Sequence, residues 1–199
     1  MRYTIFDTPV ISSLIRALAL SFLKIFGWRV EGRLPDVNKL VVIAAPHTSN
    51  WDLPVLLGVA FTLKAKACWL GKHTLFQGPF GFLSRWMGGI PVYRSASHNM
   101  VSQSVEMFRS HEKLILAIPP EGTRGKVSHW KTGFYYIALG AEVPITLGFM
   151  DYKRKVSGLG PTLYPTGDIE ADMETIRNFY ASVTAKYPDK ASLAVVERK

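Results

Sequence analysis

The stretch Lys39-Leu40-Val41-Val42-Ile43-Ala44-Ala45 constrains the fold more than any other part of the chain. After its lysine every residue is apolar, and Val41, Val42 and Ile43 are β-branched. A strand with one face in water alternates polar and apolar residues. This one does not, so it needs cover on both faces, as in a parallel sheet with helices above and below. The rest of the sequence supplies the helices. Leu53 to Lys64 reads as a helix, with Pro54 in the first turn where its missing N–H is harmless. Lys66–Leu70 reads as a strand, Phe80–Met87 as a helix, Ile90–Tyr93 as a strand and His98–Ser110 as a helix. Lys113–Ile118 reads as a strand, Thr132–Leu139 as a helix closed by Gly140, and Val143–Met150 as a strand. Asp168–Lys186 is a final amphipathic helix with Ile169, Met173, Ile176, Tyr180 and Val183 inward. The alternation implies an α/β protein: a single domain with a mainly parallel sheet flanked by helices, plus an N-terminal amphipathic helix. A length of 199 residues, 48% of them apolar, suits one such domain and excludes a disordered chain.

The first residues read differently. From Thr8 to Trp28 the chain is largely apolar, and Thr8-Pro9 suits a helix start. On a helix, Ser13, Arg16 and Lys24 share one narrow polar stripe. Arg16 and Lys24 break the run, so no stretch of ~20 uncharged apolar residues is available to cross a bilayer. Arg16 also leaves too short an apolar run before it for a secretory leader. Such a helix either packs on the domain or lies in the headgroup region with Trp28 as an interfacial anchor. The apolar character over most of its circumference favours the second. The expected division is residues 1–28 as a membrane-associating helix and 29–199 as the α/β domain, at the cytoplasmic face of a membrane as a peripheral or monotopic protein.

Charge points to anionic partners. Lys and Arg number 24 against 15 Asp and Glu, a net +9. From Leu53 to Val105 there is no acid, while Lys64, Lys66, Lys72, Arg85 and Arg94 fall there. The acids gather at Asp168, Glu170, Asp172 and Glu174, as in the first turn of a helix. Nucleic acid would also suit a basic chain, but no recognised binding motif is present. Cys68, the single cysteine, rules out a disulfide framework and a multi-cysteine zinc site, and the histidines lack metal-ligand spacing.

In parallel sheets, sites form beyond the carboxyl ends of strands. Two polar loops follow strands directly, Pro46–Asp52 and Pro119–His129. In the first, His47 precedes Asp52 by a turn, so that the carboxylate can reach one ring nitrogen and leave the other as a proton acceptor. The spacing alone equally fits Asp52 as a helix cap and His47 as a polar loop residue. In the second, Glu121-Gly122-Thr123-Arg124-Gly125-Lys126 offers a guanidinium, an ammonium, a hydroxyl and glycine N–H groups suited to an anion. Glu121 in so basic a loop would orient Arg124 or accept from a substrate hydroxyl. His129 and Trp130, just beyond, would line an entrance.

His47-x-x-x-x-Asp52 followed by Glu121-Gly122-Thr123-Arg124 resembles the glycerolipid acyltransferase family, to which bacterial lysophosphatidate acyltransferase belongs. The stretch from Gly81 to Arg94 resembles the family's second block, Lys131-Thr132-Gly133-Phe134 the stretch after the third, and Val143-Pro144-Ile145 the fourth. The order is the family's, over about half the chain. Thr48 stands where the family often has a basic or amide residue, and Pro119 where it has phenylalanine; the acceptor lipid therefore stays open. The resemblance implies acyl transfer from acyl-CoA or acyl carrier protein to the free hydroxyl of a lysophospholipid. His47 would be general base and Asp52 its orienter. Arg94, Glu121, Gly122, Thr123 and Arg124 would bind the substrate's anionic group, with Lys72 and Lys131 as further candidates. No metal or cofactor is implied beyond the acyl donor as co-substrate. The alternative is a non-catalytic, anionic-lipid-binding peripheral protein.

Overall fold

In the computed structural model, residues 3–93, 97–192 and 194–195 are described, with the side chains of 97–99 left aside. Arg94 lies outside the described residues. The helices are α1 (Ile11–Ile25), α2 (Asp52–Thr62), α3 (Gly81–Trp86), α4 (Ser97–Ser110), α5 (Gly133–Ala141) and α6 (Ile169–Tyr180). The strands are β1 (Arg29–Glu31), β2 (Lys39–Ala45), β3 (Ala67–Lys72), β4 (Gly89–Val92), β5 (Leu114–Ile118), β6 (Ile145–Asp151) and β7 (Val156–Leu163). Among the described residues they form one seven-stranded sheet in the order β1-β7-β6-β2-β5-β3-β4. Every pairing is parallel except β6 with β7.

The apolar run at Lys39–Ala45 is the central strand, β2. Its residues serve two cores in alternation, because successive side chains point to opposite faces. Val41 and Ile43 join Phe108 of α4, Phe134 and Ile137 of α5, and Met173 of α6. Leu40 and Val42 join Leu159 on the other face. On that second face lie α1, α2 and α3, tied by a cluster of Ile5, Ala19 and Phe61 with Trp86 packed against it. Leu23 of α1 seats on Gly58 of α2, where an added Cβ would come within 2.6 Å of it. The amino end of α1 is fixed to α3, with Ile5 N donating to the Trp86 carbonyl at 2.8 Å. No described helix is long and apolar enough to cross a membrane.

Several boundaries differ from the sequence reading. Thr8 does not cap α1; its hydroxyl donates to the Thr4 carbonyl and accepts from Trp86 Nε1. Gly140 lies inside α5, and Glu142, in left-handed conformation, ends that helix. The last helix stops at Tyr180 rather than Lys186, and the chain turns away so that the Thr184 carbonyl accepts from Tyr152 N–H. Asp168 caps it, accepting from the N–H groups of Glu170 and Ala171. Strands β1 and β7 carry no clear sequence signal, since β1 has three residues and β7 contains Gly158, Gly160 and Pro161. Cys68 is half-buried in β3.

Candidate active site

Register brings the two polar loops together. Strands β2 and β5 are neighbours, and Ile43 stands opposite Ile118. Extending that pairing by three residues sets Pro46 level with Glu121. The structure closes the gap with a bond: His47 N–H donates to Glu121 Oε2 at 2.9 Å. Glu121 therefore braces the histidine backbone, and among the described residues it makes no bond to Arg124.

The His47 ring is held from the other side. Its Nδ1 lies 2.9 Å from Asp52 Oδ2, across five positions of chain. A carboxylate can only accept, so Nδ1 carries the proton and Nε2 is left with its lone pair outward. Asp52 is wholly buried, yet the His47 side chain keeps 21% of its surface exposed, so a reactant can reach the ring. Asp52 opens α2 without capping it; instead its carboxylate accepts from Ser49 N–H at 3.0 Å. Its other oxygen accepts from the Tyr152 hydroxyl at 2.6 Å. Burial, then this bond to Asp52, raises the Tyr152 ionisation above its ordinary range, so it donates as a neutral phenol.

Tyr152 was not legible as a site residue. It directly follows β6, the neighbour of β2 on the side away from β5, and so sits at the same carboxyl edge. A tyrosine immediately beyond a strand next to the histidine strand was the available signal. The segment after α6 completes the surround. Tyr187 N donates to Thr48 Oγ1 at 3.3 Å, and the Lys186 ammonium lies 4.9 Å from the Trp51 ring centre and 5.7 Å from that of Tyr152.

Glu121 is buried, and its Oε1 has no partner among the described residues. Burial pushes its carboxyl up to about 7, against the opposing His47 N–H bond. Gly122 is in the left-handed region, and an added Cβ would come within 3.0 Å of Lys131 Nζ, so the Lys131 ammonium lies over this loop. The two glycine N–H groups of the loop are turned to partners within it. Gly122 N–H donates to the Pro119 carbonyl, and Gly125 N–H contacts Thr123 Oγ1. The Thr123 and Arg124 side chains are exposed.

His47, Asp52, Glu121, Gly122 and Lys131 are thus brought together. Lys72 is exposed at the end of β3, on the same edge but two strands from β2, about 10 Å at ordinary strand spacing. Trp130 does not line an entrance; it is buried against Tyr180. A cavity of ≈ 350 Å³ lies beside the loop, walled by Leu70, Ile118, Pro120, Gly122 and Phe134. The larger cavity, ≈ 720 Å³, lies at the opposite edge of the sheet, by Ala67 and Leu114. Among the described residues no three His, Cys, Asp or Glu side chains gather as a metal site.

A mainly parallel α/β fold with a histidine–carboxylate pair at its carboxyl edge defines an enzyme-like class. The Acyltransferase family model matches residues 28–146, and the chain belongs to that family. No curated protein matches the chain. Among solved structures it is similar to the 1-acyl-sn-glycerophosphate (LPA) acyltransferase PlsC from Thermotoga maritima, at 20% identity and a TM-score of 0.59, over 87% of this chain and 78% of that one. The two share a fold.

Proposed function

We propose that this protein is an O-acyltransferase of the 1-acylglycerol-phosphate acyltransferase type. It moves a fatty acyl group from a thioester of coenzyme A or acyl carrier protein to the free hydroxyl of a lysophosphatidate-like acceptor. His47 Nε2 takes the hydroxyl proton as the oxygen attacks the thioester carbonyl. The C–S bond then breaks, the ester is released, and the thiolate leaves with the proton from the imidazolium. Asp52 fixes the tautomer and stabilises the imidazolium. A thioester is activated enough for positioning and a base to suffice, so the step needs no metal or cofactor. Arg94, Thr123 and Arg124, with Glu121 and Gly122 shaping their loop, bind the acceptor's anionic group. Lys131 and Lys72 are further contacts for donor or acceptor charge. The apolar cavity beside Gly122 takes part of the acyl chain. Residues 1–28 hold the enzyme on the cytoplasmic face of the membrane, where the acceptor resides.

The observation that carries this reading is the double grip on His47, by Asp52 on the ring and Glu121 on the backbone, in a chain of the acyltransferase family. The test is an acceptor screen with purified protein and one acyl donor, products read by mass spectrometry. A lysophospholipid-dependent ester should form, and His47→Ala should lower its rate at least about 100-fold with the fold retained. Full activity in His47→Ala would refute the mechanism. Lipid binding with no turnover on any acceptor would favour the non-catalytic alternative.

A further inference from the structure

The helical layer of α1, α2 and α3 leaves an apolar rim around the carboxyl edge. The short turn His73–Phe76 follows β3 at that edge and leads into α3. Leu75, Phe80 and Phe82 project there into solvent; Phe80 and Phe82 are 74% and 70% exposed. Ile25 and Phe26 at the end of α1 are exposed on the same layer, as are Trp51 and Leu53 beside Asp52. The carboxyl end of α1 reaches this edge, because Phe22 stacks on Trp51 with ring centres 6.4 Å apart. An isolated exposed apolar side chain is ordinary; a run of large ones flanking a reactive histidine is not.

Charge selects the occupant. The whole stretch from Leu53 to Val105 lacks a carboxylate, and Lys72 stands exposed at the same edge. Lys131 and Lys186 stand at this edge too, over Gly122 and Trp51, so a second copy of the face would be repelled, whereas anionic lipid headgroups are attracted to it. We infer that Leu75, Phe80 and Phe82 form a second membrane contact, across the site from α1, so that the enzyme sits on a bilayer with the His47 opening toward the lipid. This extends the proposed lipid-acylating function and rests on it for its purpose, though not for its test.

The test uses the full chain and vesicles of phosphatidylglycerol and phosphatidylcholine in equal parts, with sedimentation to measure bound protein. Each ring inserted in lipid contributes roughly tenfold to binding, so the pair Phe80→Ser/Phe82→Ser should partition about 10- to 100-fold more weakly. Both rings are mostly exposed, so the fold should survive. Phe80→Leu/Phe82→Leu, which keeps apolar bulk, should bind within about threefold of the parent. Unchanged binding by the serine pair overturns the inference, as does equal loss in both pairs. A parent that does not bind these vesicles overturns it, and so does a serine pair that converts a dimer to a monomer in sedimentation velocity. Acyl transfer to a short-chain, monomeric lysophosphatidate is measured in parallel. Transfer without Phe80/Phe82-dependent binding sinks the membrane contact alone; Phe80/Phe82-dependent binding without transfer sinks the proposed reaction alone.

Discussion

Glu121→Gln separates the two jobs of a buried carboxyl. In the fold Glu121 accepts from His47 N–H through one oxygen while its other oxygen is buried without a partner. Burial raises its ionisation from 4.5 to about 7. The sign follows from proton counting. Between those two values the folded state holds a proton that the unfolded chain has lost, so stability falls as pH rises through that window. The ionised folded state bears a penalty of about 3 kcal/mol above pH 7, and about 2.5 kcal/mol of it accrues between pH 5 and pH 8. Glutamine keeps the acceptor for His47 N–H and cannot ionise. Its own cost, from a buried amide N–H group lacking a partner, is the same at both pH values and cancels. Urea unfolding followed by tryptophan fluorescence, on both proteins at pH 5 and pH 8, isolates the effect, because all other titrating groups are common. The stability of Glu121→Gln relative to the parent should be higher at pH 8 than at pH 5 by about 2.5 kcal/mol. A relative stability equal at the two pH values would refute the burial argument and the geometry behind it.

Two further substitutions probe the neighbouring contacts. Tyr152→Phe removes the donor 2.6 Å from Asp52 Oδ1. A hydrogen bond to a charged group is worth about 1.5–3 kcal/mol. As Tyr152 acts through Asp52 and not on substrate, kcat should fall about tenfold or more at nearly constant KM; a change confined to KM would count against this positioning role. Gly58→Val fills the seat of Leu23 between α1 and α2. Overpacking there should cost about 1–3 kcal/mol in thermal or urea unfolding, and a neutral result would mean that α1 does not dock as described.

How much of this was legible in the sequence depended on the range of the forces involved. The unbroken apolar run at Leu40–Ala45 fixed a doubly covered central strand, and the alternating pattern around it fixed a mainly parallel α/β sheet. Those are local signals, because period and composition act within a few residues. The spacing of His47 and Asp52 allowed a contact across one turn but fitted a helix cap as well; the matching blocks elsewhere in the chain, not the spacing, singled the pair out. The edge strands were not legible, because β1 is three residues long and β7 carries glycine and proline that pairing with β6 overrides.

Glu121 was expected to orient Arg124 or accept from a substrate hydroxyl; its bond to the backbone of a residue 74 positions away replaces the first of these roles, and nothing local to its loop announces it. The bond of Tyr152 to Asp52, 100 positions away, has the same cause. Hydrogen bonds across such distances exist only once sheet register has been set, and register is decided by packing over the whole sheet. Sequence alone determined the kind of fold and singled out His47 with its neighbour Asp52. Tertiary structure alone decided what grips that histidine, that the wide cavity lies at the far edge, and that apolar side chains crowd the rim where the site opens.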